Sequence, residues 1–206
     1  MLRVGLTGGL ASGKSLVGRA LAEMGCLLIQ ADELGHQVMA KGAEAYSAIL
    51  AEFGPSILDP HGEIDRRRLG ALVFGRPELL SKLSAVVHPC VRARSVRLQE
   101  EFAEREPHGI CVNEAAILVE TGGYRGFDRL IVASCTPEQQ VERAMMRDTS
   151  GNHLTREEVL NRLRRQMPLE EKVKYADYVI DTSGTIEHTL EQTRAVYASL
   201  RSLQQP

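Results

Sequence analysis

The stretch GLTGGLASGKSLVGRAL, residues 5–21, decides the fold. Within it Gly8-Gly9-Leu10-Ala11-Ser12-Gly13-Lys14-Ser15 fits the phosphate-loop pattern G-x-x-x-x-G-K-[ST]. Its context fits as well: an apolar run over residues 2–7 reads as a buried strand, and a helical pattern runs from 14 to 23. Gly8 and Gly13 admit backbone angles that other residues resist, so successive N–H groups can point into one hollow. The helix that follows turns its positive end toward the same anion. Lys14 suits the outer phosphates and the Ser15 hydroxyl suits Mg²⁺. The loop therefore says that a polyphosphate is held. It does not say whether the phosphate is transferred, hydrolysed to drive a motion, or bound as a signal.

Working outward, four more short apolar runs, 26–31, 110–114, 130–134 and 178–181, lack polar alternation. They read as strands covered on both faces, with helical patterns between them, which predicts an α/β fold with a five-stranded parallel sheet and helices on both sides. Thr136-Pro137-Glu138-Gln139 and Thr155-Arg156-Glu157-Glu158 are capping boxes that open helices. Residues from 186 to 203 read as an amphipathic closing helix. Two segments exceed what the alternation needs. Residues 36–108 carry several helical patterns and read as a helical insert; 147–174 is arginine-rich, is interrupted by Ser150-Gly151-Asn152, and reads as a cover or lid. The core is then 1–35, 109–146 and 175–206. Asp65-Arg66-Arg67-Arg68 reads most simply as a solvated helix start, and His88-Pro89 as a helix break, because proline biases the residue before it away from helical angles.

The chain has 206 residues, 43% of them hydrophobic, and a net charge of −2. That supports one sizeable core. The charge balance lacks the basic footprint of a nucleic-acid binder. No run of 18 apolar residues is present, so no membrane span is expected. The four cysteines, Cys26, Cys90, Cys111 and Cys135, are widely spaced and form no C-x-x-C pair. They read as reduced thiols of a cytoplasmic protein, monomeric or a small homo-oligomer.

Several further residues carry chemistry. Asp32 closes the second predicted strand, and in an open parallel sheet ligands sit beyond the carboxyl ends of strands. A carboxylate there takes the proton of an attacking hydroxyl, orients that hydroxyl, or holds Mg²⁺; the competing reading is a helix cap. Glu114, at the end of the third strand, suits a second Mg²⁺-side carboxylate better than Glu120. Arg143 and Arg147, four residues apart where the cover begins, suit the charge that phosphoryl transfer spreads over the moving group, as do Arg162 and Arg165 inside it. His88 and Arg92 either face a substrate or serve a helix junction. A GTP-dependent switch would show N-K-x-D, which is absent. An ATPase motor would show an apolar run ending in paired acids, which is not evident. A small-molecule kinase accounts for both extra segments: the insert holds the acceptor, and the cover keeps water from competing for the γ-phosphate.

At this point an ordered set of residues resembles the dephospho-coenzyme A kinases. It runs from Gly5-Leu6-Thr7-Gly8-Gly9 through Ala31-Asp32, Phe53-Gly54, Asp65 to Leu69, and Leu83 to Pro89. It continues with Ala116 to Glu120, Pro137 through Gln140 to Arg143, and Arg147-Asp148. It ends with Arg162 and Gln166, Lys172, Ala176-Asp177 and Val179-Ile180-Asp181. The resemblance implies ATP-dependent phosphorylation, with Mg²⁺, of the ribose 3′-hydroxyl of dephospho-coenzyme A. It implies that Asp32, Lys14, Thr7 and Arg143 are catalytic. Gly8, Gly9, Ala11, Ser12, Gly13, Lys14, Ser15, Leu16, Arg143 and Arg147 would bind ATP; Asp32, His88 and Leu118 the acceptor; Ser15 and Asp32 the metal. The chain departs from the family pattern at Ala11 and Leu16, where glycine and threonine are usual. It departs again at Glu114 and Ala116, for aspartate and proline, and at Thr182, for asparagine.

Overall fold

The computed structural model describes residues 1–146 and 154–204. Strand β1 (Leu2–Gly8) leads through the phosphate loop into α1 (Lys14–Glu23), β2 (Leu27–Gln30), α2 (Ala31–Met39), α3 (Tyr46–Phe53), α4 (Arg66–Val73) and α5 (Pro77–Arg105). Then follow β3 (Ile110–Glu114), β4 (Arg129–Ser134), α6 (Pro137–Met146), α7 (Arg156–Leu163), α8 (Leu169–Val173), β5 (Tyr178–Asp181) and α9 (Ile186–Ser202). The chain divides into two compact units, Met1–Ile29 with Phe102–Pro206, and Gln30–Glu101.

The first unit is an open sheet of order β2-β3-β1-β4-β5. Parallel pairing sets Leu6 opposite both Glu114 and Ile131, and Thr7 opposite Val132. Leu2, Val4 and Leu6 of β1 point to one face, where Val17 and Leu21 of α1 and Val196 and Leu200 of α9 cover them. On the other face Leu130 and Val132 pack with Val119, Leu118, Met167 and Val173. Both faces of the central strands β1, β3 and β4 are covered, which is why their sequences are mostly apolar and lack polar alternation. From β1 the chain runs outward to β2, and from β3 it crosses over β1 to β4. The carboxyl ends of β1 and β3 are thus a topological switch point, the usual place for a ligand in such sheets. Cys26, Cys111 and Cys135 are buried free thiols. Burial pushes Cys26 and Cys111 up to about 12, so neither is a nucleophile at neutral pH.

Both expected capping boxes form. Thr136 and Gln139 exchange side chain-to-backbone hydrogen bonds of 3.2 Å, and Thr155 with Glu158 does the same at the start of α7. Helix α9 buries Thr189 and Thr193 along with its apolar residues; each hydroxyl donates to the carbonyl four residues earlier.

The second unit packs Val38, Ile49, Ile57, Ile64, Leu69 and Val73 into its own core. Asp65 caps α4 by accepting from the Arg67 and Arg68 amides, so the arginine run is a capped helix start. Two sequence expectations fail here. The break expected at His88-Pro89 is absent: α5 runs through Pro89 as one helix of 29 residues. Interior proline costs about 3 kcal/mol. Leu79, Leu83, Val86, Val87, Cys90 and Val91 pack against the core on both sides of it, and at about 1 kcal/mol for each half-buried side chain that outweighs the cost. The proline's penalty also falls on the carbonyl of Ala85, an exposed residue open to water. The second failure concerns Asp32. The strand stops at Gln30 and α2 starts at Ala31, so Asp32 is the second residue of a helix, where its charge complements the helix dipole. No helix among the described residues is long and apolar enough to cross a membrane.

Candidate active site

The site begins with the phosphate loop. Gly13 has φ +84° and serves as the N-cap of α1 without a side-chain cap bond. A Cβ on Gly13 would press on Thr182 at 3.0 Å, one on Gly8 would meet the Ala133 carbonyl at 2.6 Å and the Ser12 hydroxyl, and one on Gly9 would collide with the Gln140 amide. The loop thus passes too close to its supports for side chains at these positions. The Ser12 hydroxyl is buried and has no hydrogen-bond partner among the described residues. An orphaned buried hydroxyl beside an uncapped helix start is a site built for an anion. These residues fit a polyphosphate.

Lys14 Nζ donates to the Gly9 carbonyl at 2.7 Å and reaches the Gly8 carbonyl at 3.4 Å. Ser15 Oγ donates to Glu114 Oε1 at 3.0 Å, so the end of β3 brings a carboxylate to the hydroxyl that the motif assigns to a metal. The pair fits Mg²⁺, which prefers one or two carboxylates and keeps several waters. Thr7 is fully buried and its hydroxyl donates to the Ala116 carbonyl at 3.2 Å. Arg143, on α6, donates to the Thr182 carbonyl at 2.7 Å and to its hydroxyl at 3.3 Å. A hollow of about 360 Å³ lies among Ala11, Gly13, Leu16, Arg143, Met146, Thr182 and Ile186. Two of the departures noted in the sequence, Ala11 and Leu16, line it together with a third, Thr182.

Four further side chains support the loop through contacts that the sequence reading did not foresee. The Leu10 amide donates to Gln166 Oε1 at 2.9 Å, and its carbonyl accepts from Gln140 Nε2 at 2.7 Å, so two glutamines hold one residue of the loop from both sides. The Thr182 hydroxyl contacts the Ser12 carbonyl at 2.9 Å and the Ser134 carbonyl at 3.1 Å. Lys172 is fully buried; its ammonium pairs with Glu120 at 2.8 Å and donates to the Ala116 carbonyl at 2.6 Å. Gln140, Gln166 and Lys172 belong to the ordered set noted in the sequence, but no motif announces what they touch. Glu120 thus faces Lys172 and the Met167 amide.

Leu118 lies half-buried in the apolar cluster beneath β4. Asp32 and His88 belong to the second unit. Asp32 is exposed and does not cap α2, whose N-cap is Gln30. His88 shares a hollow of about 500 Å³ with Ser81, Ser84 and Arg92 on α5. Arg147 lies outside the described residues.

A protein-family model described as dephospho-CoA kinase matches residues 2–188. The chain is similar to the dephospho-CoA kinase of Aquifex aeolicus, 40% identical over 200 residues that cover 97% of this chain and 98% of the relative. It is 42% identical to that of Geobacillus kaustophilus, over 95% and 94% of the two chains. Among solved structures, a Thermus thermophilus protein superposes with a TM-score of 0.78 at 36% identity, covering 97% of each chain. A dephospho-CoA kinase from Campylobacter jejuni superposes with a TM-score of 0.65 at 24% identity over 96% of each, a likeness of fold.

Proposed function

The chain belongs to the dephospho-CoA kinase family, and from that premise we propose that it transfers the γ-phosphoryl group of ATP to the ribose 3′-hydroxyl of dephospho-CoA, giving CoA and ADP. The bond between the γ-phosphorus and the β,γ-bridging oxygen breaks as the bond from the acceptor oxygen forms, and the acceptor proton leaves. The observation that carries this reading furthest is the loop with its orphaned Ser12 hydroxyl beside the Ser15–Glu114 pair.

In this reading Gly8, Gly9, Ala11, Ser12 and Gly13 cradle the phosphates through their backbone, Lys14 leaves the loop carbonyls for the outer phosphates, and Leu16 with Ile186 and Met146 gives the base an apolar wall. Ser15, with Glu114 behind it, and Asp32 are the residues that would hold Mg²⁺, which supplies charge neutralisation across the phosphates. Thr7 lies by the transferring group, and Arg143 with Arg147 balances its developing charge. Asp32 takes or orients the acceptor proton; its exposed carboxylate, which does not cap the helix, supports that role. His88, beside Ser84 and Arg92, and Leu118 serve the acceptor, and a basic, hydroxyl-lined hollow suits the phosphate groups that such an acceptor carries. The test is ADP release with Mg²⁺ and ATP, with and without dephospho-CoA. Acceptor-dependent release is expected, and its absence sinks the reading. Asp32→Asn should lower kcat by about 100-fold or more while the ATP Kd stays within about threefold. An unchanged kcat removes Asp32 from the chemistry.

A further inference from the structure

Among the described residues Lys172 is the largest side chain with no exposed surface. Burying an ammonium group is expensive unless every donor is matched and the charge is paired. All three of its donors are matched: Glu120 Oε1 at 2.8 Å, the Ala116 carbonyl at 2.6 Å and the Gly8 carbonyl at 3.4 Å. Two of these are backbone carbonyls just where β1 and β3 end. Gly8 is the last residue of β1, and Ala116 lies two residues beyond β3, outside the ladder. The same two carbonyls serve the site. Ala116 accepts from the Thr7 hydroxyl, and Gly8 is also reached by Lys14 at 3.4 Å.

From this we propose that Lys172 is a positioning residue for the phosphate loop, acting through the Gly8 and Ala116 carbonyls; the proposal rests on the kinase reading only for its turnover arm. Its first effect is on Lys14. To meet a phosphate, Lys14 has to give up its loop carbonyls, and a carbonyl left without a partner in a buried place opposes that move. Lys172 keeps the Gly8 carbonyl satisfied throughout, so the move of Lys14 does not strand it. Its second effect is on Thr7, whose hydroxyl is aimed by the carbonyl that Lys172 holds in place. Glu120 neutralises the buried ammonium and binds the Met167 amide at 3.1 Å, which ties the same network to the segment between α7 and α8.

A lysine that only held the fold together would behave differently from one that positions the loop, and the pair Lys172–Glu120 separates the two. Lys172→Met alone strands the Glu120 charge and threatens the fold. Lys172→Met with Glu120→Gln leaves no charge behind, and the introduced glutamine's carbonyl oxygen still accepts from the Met167 amide. The double variant still takes the ammonium donor from the Gly8 and Ala116 carbonyls, so it is expected to remain folded but to unfold roughly 4–8 °C below the parent. Its Kd for MgATP, measured by titration calorimetry, is expected to rise at least fivefold, with kcat falling by at least the same factor and the acceptor KM changing less than threefold. A folded double variant whose MgATP Kd rises by less than fivefold overturns the proposal. So does a Thr7→Ala change that adds its full effect on kcat to that of the double variant, since residues acting through one carbonyl cannot be independent. The calorimetric arm needs no acceptor, so a parent protein that bound MgATP but failed to phosphorylate dephospho-CoA would break the functional reading and leave this inference standing.

Discussion

The phosphate loop has an inner face and an outer one, and they are built from different parts of the chain. On the inner face Gly8, Gly13, Lys14 and Ser15 lie within eight consecutive residues. On the outer face Gln140, Gln166, Lys172 and Thr182 reach the loop's peptide groups from 130 to 170 residues downstream. The inner face must be contiguous, because an anion is gripped by successive N–H groups and by a helix start that follows at once. The outer face has no such need. A carbonyl or amide with no ladder partner is satisfied by any donor or acceptor that the fold delivers, so glutamine, lysine and threonine each serve, from whichever element passes by.

If this division of labour holds, substitutions on the inner face should strike turnover and spare the fold, and those on the outer face should strike both. The largest effect is expected from Lys14→Ala. It removes the one charge that the motif aims at the transferring group, and kcat should fall by about 10³-fold or more. Its melting temperature should move by less than about 4 °C, since the Gly8 carbonyl keeps its contact with Lys172 and the bond to the Gly9 carbonyl contributes about 1 kcal/mol net. A loss of fold comparable to the loss of rate would erase the distinction between the two faces.

A smaller, mixed effect is expected from Thr182→Val. The shape is kept, but the hydroxyl that joins the Ser12 and Ser134 carbonyls is lost, together with the 3.3 Å contact from Arg143. With Thr182 only 3% exposed, water cannot replace it, and about 2 kcal/mol of stability should go. For a chain of this length that is roughly 4–8 °C, read by differential scanning calorimetry. The MgATP Kd should rise severalfold in the same protein, because Ser12 is a loop residue and Arg143 loses an anchor. Unchanged melting with weakened ATP binding would move Thr182 to the inner face.

The same contrast explains what the sequence could announce. The sheet is legible because its central strands are covered on both faces, which leaves short, mostly apolar runs without polar alternation. The loop was legible because its chemistry demands fixed spacing. Glu114 could be picked out from its place at a strand end, and it does meet Ser15. The network around Lys172 could not, because nothing in Leu169-Glu170-Glu171-Lys172-Val173 distinguishes a buried lysine from a solvated one. The helix through Pro89 defies the local rule about proline because the apolar stripe of α5 packs on both sides of that residue. The placement of Asp32 on a helix was missed by one residue of strand, which no pattern in Ile29-Gln30-Ala31-Asp32 resolves.

The smallest effect is expected at Ala11, where the two faces meet. Ala11 has φ +53°, in the left-handed region that glycine adopts without penalty, and it stands where glycine is usual in the family pattern. An L-residue there costs about 1–2 kcal/mol. Yet its methyl group is 8% exposed and packs with Val141, Ala144 and Val159, which holds the outer side of the loop on α6 and α7. Ala11→Gly removes the strain and also that burial, worth about 0.8 kcal/mol for one methyl. It also loosens the unfolded chain, at a cost of about 0.4–1 kcal/mol. The terms nearly cancel, so stability by urea unfolding should change by less than about 1 kcal/mol. Ala11→Val separates them, because a β-branched side chain keeps the packing while aggravating the strain, and it should lose about 2 kcal/mol or more. A tolerated valine would show that the loop relaxes freely at this position. A glycine variant that lost more than about 2 kcal/mol would show that packing against α6 and α7, not backbone freedom, sets the residue at position 11.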